Sequence, residues 1–234
     1  MAIPAIKPGQ LILFEGDSLT SRRTPPAYDD WAFLRLANWH RTYADVVAEW
    51  AFVARPELKL KFRNSAVGGS SFHHVLARFD RVVPALKPAL VILTIGTNDA
   101  NRQESIPKFA EDIRAYARKL REVCDGRVLI IGGFGAVPGY EAPGAERAQR
   151  TLPYEQAARR ALRAEGGEYF DIGPAFAKKA KALYDLSSFH QVQSDGPHFS
   201  ELGARVIAHL LLQHLGLESL PPITSAGKRA RKKA

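Results

Sequence analysis

A serine that could act as a nucleophile follows the first strand-like segment of the chain. Residues 11–15 form a short apolar run, and the sequence GDSLT spans residues 16–20 directly after it. A tight turn there would place the Ser18 hydroxyl at the carboxyl edge of a sheet. A serine hydroxyl is a weak nucleophile, so attack on an ester needs a nearby base and hydrogen-bond donors for the oxyanion. The pattern predicts acyl transfer, provided that other segments supply these groups.

A base and a carboxylate to orient it lie near the other end of the chain. The sequence DGPH spans residues 195–198, so Asp195 and His198 are three residues apart on one loop. Asp195 could accept a hydrogen bond from one ring nitrogen of His198, which fixes the tautomer and leaves the other nitrogen to face Ser18. We therefore predict a catalytic triad of Ser18, His198 and Asp195.

Donors for the oxyanion are expected from three loops. The backbone N–H of Ser18 is one, and Asn98 in the sequence GTND, residues 96–99, offers a side-chain amide. The sequence NSAVGG, residues 64–69, follows another strand-like segment, and glycine lets a backbone N–H approach a substrate without an intervening Cβ. Either Gly68 or Gly69 can provide this donor.

The elements that carry these loops alternate between strand-like and helix-like segments, a pattern typical of parallel strands joined by crossover helices. The strand-like segments are residues 11–15, 60–63, 90–95, 128–131 and 168–172. Amphipathic, helix-like segments are residues 31–54, 72–83, 106–123, 149–164, 175–183 and 201–215. The sequence thus predicts an α/β fold with five parallel strands and helices on both faces. The long connections, residues 21–30 and 134–149, follow strand ends, where such sheets bind ligands.

The four loop motifs, in this order, resemble the conserved blocks of the SGNH, or GDSL-type, serine hydrolases. GDSL, GTND and DGPH match the family's GDS(L), GxND and DxxH blocks, and NSAVGG matches its NxGxxG block with Ala66 at the first glycine. By spacing from Asn64, the resemblance assigns the catalytic glycine to Gly69, with Gly68 as the alternative. The oxyanion hole implied by the family consists of Ser18, Gly69 and Asn98. The resemblance extends over about residues 11–217.

This resemblance implies a three-layer α/β/α sandwich of the flavodoxin-like kind and ester hydrolysis without a metal or an organic cofactor. The block spacing is most similar to intracellular acetylxylan esterases and to platelet-activating-factor-acetylhydrolase-like members, which favour short acyl groups. We expect a serine esterase that hydrolyses short-chain, chiefly acetyl, esters through an acyl-enzyme, with an acetylated carbohydrate as one candidate substrate. The alternatives are a thioesterase or lysophospholipase with the same site and, from another class, a non-catalytic binding module.

Several further residues are candidates for the substrate pocket. Asp17 and Asp99 more often fix a loop or cap a helix by accepting backbone N–H bonds, so neither is assigned a catalytic role. Candidate specificity residues in the two long connections are Arg22, Arg23, Tyr140 and Glu141. The candidate substrate-binding set is Asp17, Gly68, Trp31 and Tyr140.

Metal binding and disulfide formation receive no support from the sequence. His73 and His74 would point about 100° apart on a helix, without an obvious acidic or cysteine partner, so we interpret them as surface or packing residues. His190 lacks a carboxylate at the matching offset and is interpreted as pocket lining. Cys124 is the only cysteine, which excludes an intrachain disulfide and a thiolate cluster. No metal or cofactor is predicted.

The net charge of +9 is concentrated at the end of the chain. Five of these charges come from Lys228, Arg229, Arg231, Lys232 and Lys233. We therefore predict a single domain over residues 1–217 and a C-terminal extension over residues 218–234 with a flexible, solubilising tail. No nucleic-acid partner is expected, and no apolar run reaches the roughly 18 residues of a membrane span. The first ten residues do not resemble a signal peptide, which favours a cytoplasmic location. The sequence does not decide whether the chain forms a homo-oligomer.

Overall fold

A parallel five-stranded sheet forms the centre of the protein. The computed structural model describes residues 6–21, 42–133, 141–186 and 198–218, with backbone only for 141–148 and 184–186. The strands are β1 (Leu11–Gly16), β2 (Lys61–Asn64), β3 (Leu90–Thr94), β4 (Arg127–Gly132) and β5 (Glu168–Asp171). They pair in the order β2-β1-β3-β4-β5, all parallel. This is the flavodoxin-like order, and the predicted α/β class is confirmed.

Eight α-helices lie within the described residues. They are α1 (Tyr43–Ala54), α2 (Phe72–Ala77), α3 (Phe79–Leu86), α4 (Thr97–Asn101), α5 (Ile106–Cys124), α6 (Glu141–Ala164), α7 (Gly173–Leu186) and α8 (Glu201–His214). A short 3-10 helix, Pro56–Leu58, precedes β2. None of the helices in the described ranges is long and apolar enough to cross a bilayer.

The helices cover both faces of the sheet, as alternating side chains of the central strands require. Ile92 of β3 belongs to a buried cluster with α1, α7 and α8, whereas its neighbours Val91 and Leu93 pack with α2, α3, α5 and α6. All three residues are fully buried. Strands buried on both faces carry continuous apolar runs because each face needs its own core. The predicted three-layer α/β/α arrangement is confirmed.

The prediction of one helix over residues 72–83 is wrong, because two short helices meet at Arg78. Arg78 ends α2 with φ −93° and ψ 0°, and its side chain turns into the protein to contact Glu15. Apolar periodicity continues through this point, so the sequence pattern hides the break.

The start of the helix that follows the predicted connection over residues 134–149 also differs from the prediction. Helix α6 begins at Glu141, whereas the sequence pattern placed its start at residue 149. Pro143 is compatible with this start, because proline is tolerated in the first turn of a helix, where its missing N–H has no helical partner. Residues 141–148 are therefore helical rather than part of a loop.

Three strand ends bring the predicted motif loops to one edge. Gly16 at the end of β1 pairs with Thr94 of β3, and Phe14 pairs with Asn64 at the end of β2. The segments that follow these strands carry Ser18, Asn98 and the glycines of residues 68–69. Parallel strands end at the same edge of the sheet, so these segments are neighbours in space.

Candidate active site

The Ser18 hydroxyl lies within hydrogen-bonding distance of the His198 imidazole. Ser18 Oγ and His198 Nε2 are 2.9 Å apart, and both residues are partly buried. The two residues are 180 positions apart in the chain. His198 lies just before α8. Ser200 is the N-cap of this helix, and its side chain accepts a hydrogen bond from the Gly203 N–H. The fold thus brings together a hydroxyl and an imidazole in the arrangement that activates a serine.

A tight turn after β1 places Ser18 at the sheet edge. Gly16 has φ +124°, and a Cβ on it would lie 2.3 Å from the carbonyl oxygen of Thr94, so only glycine fits. The N–H groups of Thr20 and Ser21 both donate to the Asp17 carbonyl, at 3.1 and 2.9 Å. This turn leaves Ser18 at its outer point.

Asp17 is buried beneath the nucleophile turn. Its Oδ1 accepts hydrogen bonds from the Leu19 N–H at 2.9 Å and from the Thr94 hydroxyl at 3.3 Å. Its Oδ2 lies 3.4 Å from Asn98 Nδ2. Burial raises the pKa of Asp17 to about 7, an effect that the Leu19 and Thr94 hydrogen bonds partly offset. Only 1% of the surface of Asp17 is exposed, and its carboxyl contacts the nucleophile turn and Asn98.

Asn98 lies at the start of α4 and links two of the motif loops. Its Nδ2 donates to the carbonyl oxygen of Ser70 at 3.0 Å and makes the longer contact with Asp17. The GTND sequence is predicted to lie in a loop after β3, but residues 97–101 form a short helix. This amide therefore connects the nucleophile turn with the glycine loop, and it lies beside both.

The two glycines of the NSAVGG loop occupy different environments. A Cβ on Gly68 would lie 3.9 Å from Ser18 Cβ and 3.6 Å from Ser21 Oγ, so Gly68 approaches the nucleophile turn closely. Gly69 has φ +76°, which favours glycine, and a Cβ on it would meet no atom within 4 Å. In the described ranges, the N–H groups of Ser18, Gly68 and Gly69 donate to no protein acceptor. All three are donors that a substrate could use.

A buried ion pair that the sequence reasoning missed connects these loops from below. Arg78 donates from Nε and Nη2 to Glu15 Oε2, at 2.9 and 2.6 Å, and from Nη2 to the Gly16 carbonyl at 3.0 Å. Arg78 Nη1 donates to Ser70 Oγ at 3.0 Å, and Ser65 Oγ donates to Glu15 Oε1 at 2.6 Å. Glu15 is 1% exposed and Arg78 is 8% exposed. A glutamate inside the apolar run LILFEG is the signal that could have revealed this contact.

A second buried acid, Asp99, lies close to the glycine loop and contacts the start of the helix that follows it. Asp99 Oδ1 accepts a hydrogen bond from the Phe72 N–H at 2.8 Å, which ties α4 to the start of α2. Burial raises the pKa of Asp99 to about 6. Arg102, just after α4, donates from Nη2 to the Gly69 carbonyl at 2.8 Å. The loop of residues 64–70 is thus held by side chains from several elements.

Within the described chain, His74 contacts Ser71 nearby, whereas His73 has an acidic neighbour, Asp112 on α5, that the sequence pattern did not indicate. His74 Nδ1 lies 2.8 Å from Ser71 Oγ and accepts from the Ser71 N–H at 3.2 Å. His73 is largely exposed and lies 3.9 Å from Asp112 Oδ2. No group of three or more His, Cys, Asp or Glu side chains with metal-site geometry occurs in the ranges that the structure describes.

Several residues named by the sequence reasoning lie outside the described residues. They are Asp195, Trp31, Tyr140, His190, Arg22, Arg23 and the tail after residue 218, and the Glu141 side chain is likewise not described. The predicted hydrogen bond between Asp195 and His198 therefore stays a prediction. The same holds for the pocket-lining roles of Trp31 and Tyr140.

Comparison with known proteins places the chain in a family. Residues 14–206 match the model of the GDSL-like lipase/acylhydrolase family. The chain is 26% identical to an acetylxylan esterase of Geobacillus stearothermophilus over 216 residues, which cover 90% of this chain and 95% of that protein. The family match includes both Ser18 and His198.

Solved structures of Axe2, an acetylxylan esterase from Geobacillus stearothermophilus, have the same fold. A catalytic mutant in which serine is replaced by alanine superposes with a TM-score of 0.72 at 21% identity, covering 94% of this chain and 99% of that one. A catalytic mutant in which aspartate is replaced by alanine gives a TM-score of 0.71 at 21% identity, with the same coverages. The family match, together with this fold, confirms the predicted class of carboxylic ester hydrolase: the chain belongs to the GDSL-like lipase/acylhydrolase family, which comprises SGNH serine hydrolases.

Proposed function

We propose that this chain hydrolyses short-chain acyl esters, chiefly acetyl esters, through a covalent intermediate on Ser18. The observation that carries the proposal is the 2.9 Å separation between Ser18 Oγ and His198 Nε2. At this distance the imidazole can take the hydroxyl proton while the oxygen attacks a carbonyl carbon.

The first half of the reaction forms an acyl-enzyme. Ser18 Oγ bonds to the ester carbon as its proton passes to His198, and the carbonyl π electrons move to the oxygen. The resulting oxyanion accepts hydrogen bonds from the N–H groups of Ser18 and Gly69 and from the Asn98 amide. The tetrahedral species then expels the alcohol, which receives the proton from His198.

The second half repeats these proton transfers with water. His198 takes a proton from a water molecule, which attacks the acyl carbon, and Ser18 leaves with that proton. In our proposal, Asp195 orients the imidazole and stabilises its protonated form. Support for this role comes from Axe2, where an aspartate variant is described as a catalytic mutant.

Asn98 fits the oxyanion role through its longer hydrogen bond. Its amide holds the Ser70 carbonyl at 3.0 Å and Asp17 at 3.4 Å. The contact with Asp17 is the weaker one by distance, so this N–H can be shared with a substrate oxygen. Gly69 is our first choice for the third donor because family spacing selects it, and Gly68 is the alternative because it approaches Ser18 more closely.

The proposed substrate is a small acetyl ester, with an acetylated carbohydrate as the natural class. The matched relative is named an acetylxylan esterase, which supports an acetyl group on a sugar. Trp31 and Tyr140 are proposed to border the sugar. Thioesters and lysophospholipids are the competing substrates, because the same chemistry cleaves any activated acyl group.

The direct test compares wild type with Ser18→Ala on p-nitrophenyl acetate, butyrate and octanoate, on an acetylated xylo-oligosaccharide, and on an acyl thioester. We expect acetate to be the best acyl group and Ser18→Ala to lower kcat by at least about 1,000-fold. The control is Ser105→Ala, which removes a remote serine that caps α5. Unchanged turnover in Ser18→Ala contradicts the mechanism, whereas a preference for octanoate or for the thioester contradicts the substrate class.

A further inference from the structure

A cavity adjoins the glycine loop on the side of α2 and α3. It has a volume of about 490 Å³ and is lined by residues 67–70 together with His74, Ala77, Arg78, Arg81 and Arg102. Three of its side chains are arginines, and none of the residues that line it is acidic. We call this space the arginine cavity.

The positive charge of the arginine cavity comes from two of its three arginines. Arg78 is buried and paired with Glu15, so its charge is balanced locally. Arg81 is exposed and, within the described ranges, forms no ion pair or side-chain hydrogen bond. Arg102 donates one N–H to the Gly69 carbonyl, and a guanidinium has five N–H donors, so most of its donors are free of that bond. The cavity therefore presents about two uncompensated positive charges.

The glycine loop is a shared wall between this cavity and the nucleophile. Gly68 and Gly69 line the cavity, and a Cβ on Gly68 would lie 3.9 Å from Ser18 Cβ. Ser18, Asn98 and His198 are not among the described residues that line the cavity, so a substrate held at Ser18 has to extend over the glycine loop to contact Arg81 and Arg102. The acyl group of such a substrate need not carry a charge.

We propose that the arginine cavity binds an anionic group, a carboxylate or a phosphate, on the alcohol part of the ester substrate. Arginine is suited to this task because its planar fork binds either anion through paired N–H donors. The proposal rests on the esterase function proposed above and narrows its substrate class to acidic esters, such as an acetylated sugar that carries a carboxylate.

The experiment uses pairs of aryl acetates that differ in one charged substituent. 3- and 4-Acetoxybenzoate are compared with their methyl esters, and 4-acetoxyphenyl phosphate tests phosphate against carboxylate. Each kcat/KM is divided by the hydroxide-catalysed rate of the same ester, which removes differences in leaving-group reactivity. The readout is the ratio of these corrected values, anionic over neutral.

The wild-type enzyme should favour at least one anionic ester by about fivefold at low salt, and the preference should shrink in 0.5 M NaCl. Arg81→Gln should lower the ratio by about threefold, and Arg81→Glu should lower it further. Arg160→Gln is the matched control, because Arg160 is also an exposed helical arginine but lies on α6, away from the cavity lining. The phosphate arm shows which anion binds better.

A wild-type ratio near one for every anionic ester overturns the proposal. An equal fall in Arg81→Gln and Arg160→Gln also overturns it, because net charge alone would then explain the preference. Both outcomes leave the esterase function standing as long as the enzyme cleaves the acetyl ester of the methyl acetoxybenzoates. If the folded wild-type protein hydrolysed none of the tested esters, the proposed function itself would be contradicted.

Discussion

At the scale of single residues, the site combines one short hydrogen bond with several buried polar contacts. Ser18 and His198 make the contact that we propose to react, while Asp17 lies in the turn beside it and contacts Asn98. Asp17 accepts hydrogen bonds but is almost fully buried, so its charged form is disfavoured. These residues therefore affect both catalysis and stability, and substitutions can separate the two effects.

Replacing Asn98 tests the oxyanion role. Asn98→Ala should lower kcat by about 100-fold, because one donor to the developing negative charge is lost. The KM for p-nitrophenyl acetate should change much less than kcat. Asn101→Ala, at the exposed end of the same short helix, is the control and should keep wild-type kinetics. If Asn98→Ala lost binding and stability while kcat was unchanged, Asn98 would be a loop-fixing residue only.

The buried carboxyl of Asp17 predicts a pH-dependent stability. Its pKa is about 7 in the folded protein and about 3.8 in the unfolded chain, so between these values the folded state binds more protons. The free energy of unfolding of the wild type should thus fall as pH rises through this window. The free energy of unfolding of Asp17→Asn should fall less. The difference in slope should be largest near about pH 5 to 6, where Asp17 is protonated in the folded protein and ionised in the unfolded chain; Asp99 is present in both proteins, so its own contribution cancels.

Urea unfolding of both proteins from pH 4 to pH 8 measures this effect. The slope difference should approach about 1.4 kcal/mol per pH unit within the window, which is the value for one proton. Parallel curves for wild type and Asp17→Asn would show that Asp17 does not titrate there.

At the scale of elements, the ends of β1, β2 and β3 position the site. The Arg78–Glu15 pair joins β1 to the break between α2 and α3, and it contacts both Gly16 and Ser70. A single guanidinium thus contacts the Gly16 carbonyl next to the nucleophile turn and the Ser70 hydroxyl next to Gly69. A buried ion pair adds little net stability, but removing one partner leaves an uncompensated charge.

Arg78→Lys tests whether this pair positions the glycine loop. Lysine keeps the charge but cannot form the forked contacts, so we expect kcat to fall by about tenfold or more with KM within about twofold. Arg159→Lys is the control, because Arg159 forms an exposed ion pair with Asp171 at 2.9 Å. A lower melting temperature with wild-type kcat at 25 °C would show a purely structural role.

At the scale of the whole molecule, much of the fold follows from the order of apolar segments. The continuous run at β3 requires a strand buried on both faces, and alternation with amphipathic segments leaves few arrangements other than a parallel sheet. The break at Arg78 could not be predicted, because it depends on a contact with Glu15, 63 residues away. Local periodicity contains no information about such a partner.

The site was predictable to a similar extent. The motifs after β1 and β3 predict that Ser18 and Asn98 lie at one edge because parallel strands gather their carboxyl ends there, and the DGPH motif before α8 predicts the contact of His198 with Ser18 that the structure shows. The division of roles between Gly68 and Gly69 depends on backbone angles and on the approach to Ser18, which spacing does not determine. The arginine cavity is assembled from three separate segments, so no single motif could reveal it.

The central claim is that Ser18 becomes acylated with His198 as its base. The most direct measurement mixes the enzyme with p-nitrophenyl acetate, quenches it in acid within the first turnover, and maps the acetyl group by peptide mass spectrometry. We predict one acetyl group on the peptide that contains Ser18, and none when His198→Ala is treated in the same way. Acetylation confined to another residue, or acetylation of Ser18 at the wild-type rate in His198→Ala, would contradict this account.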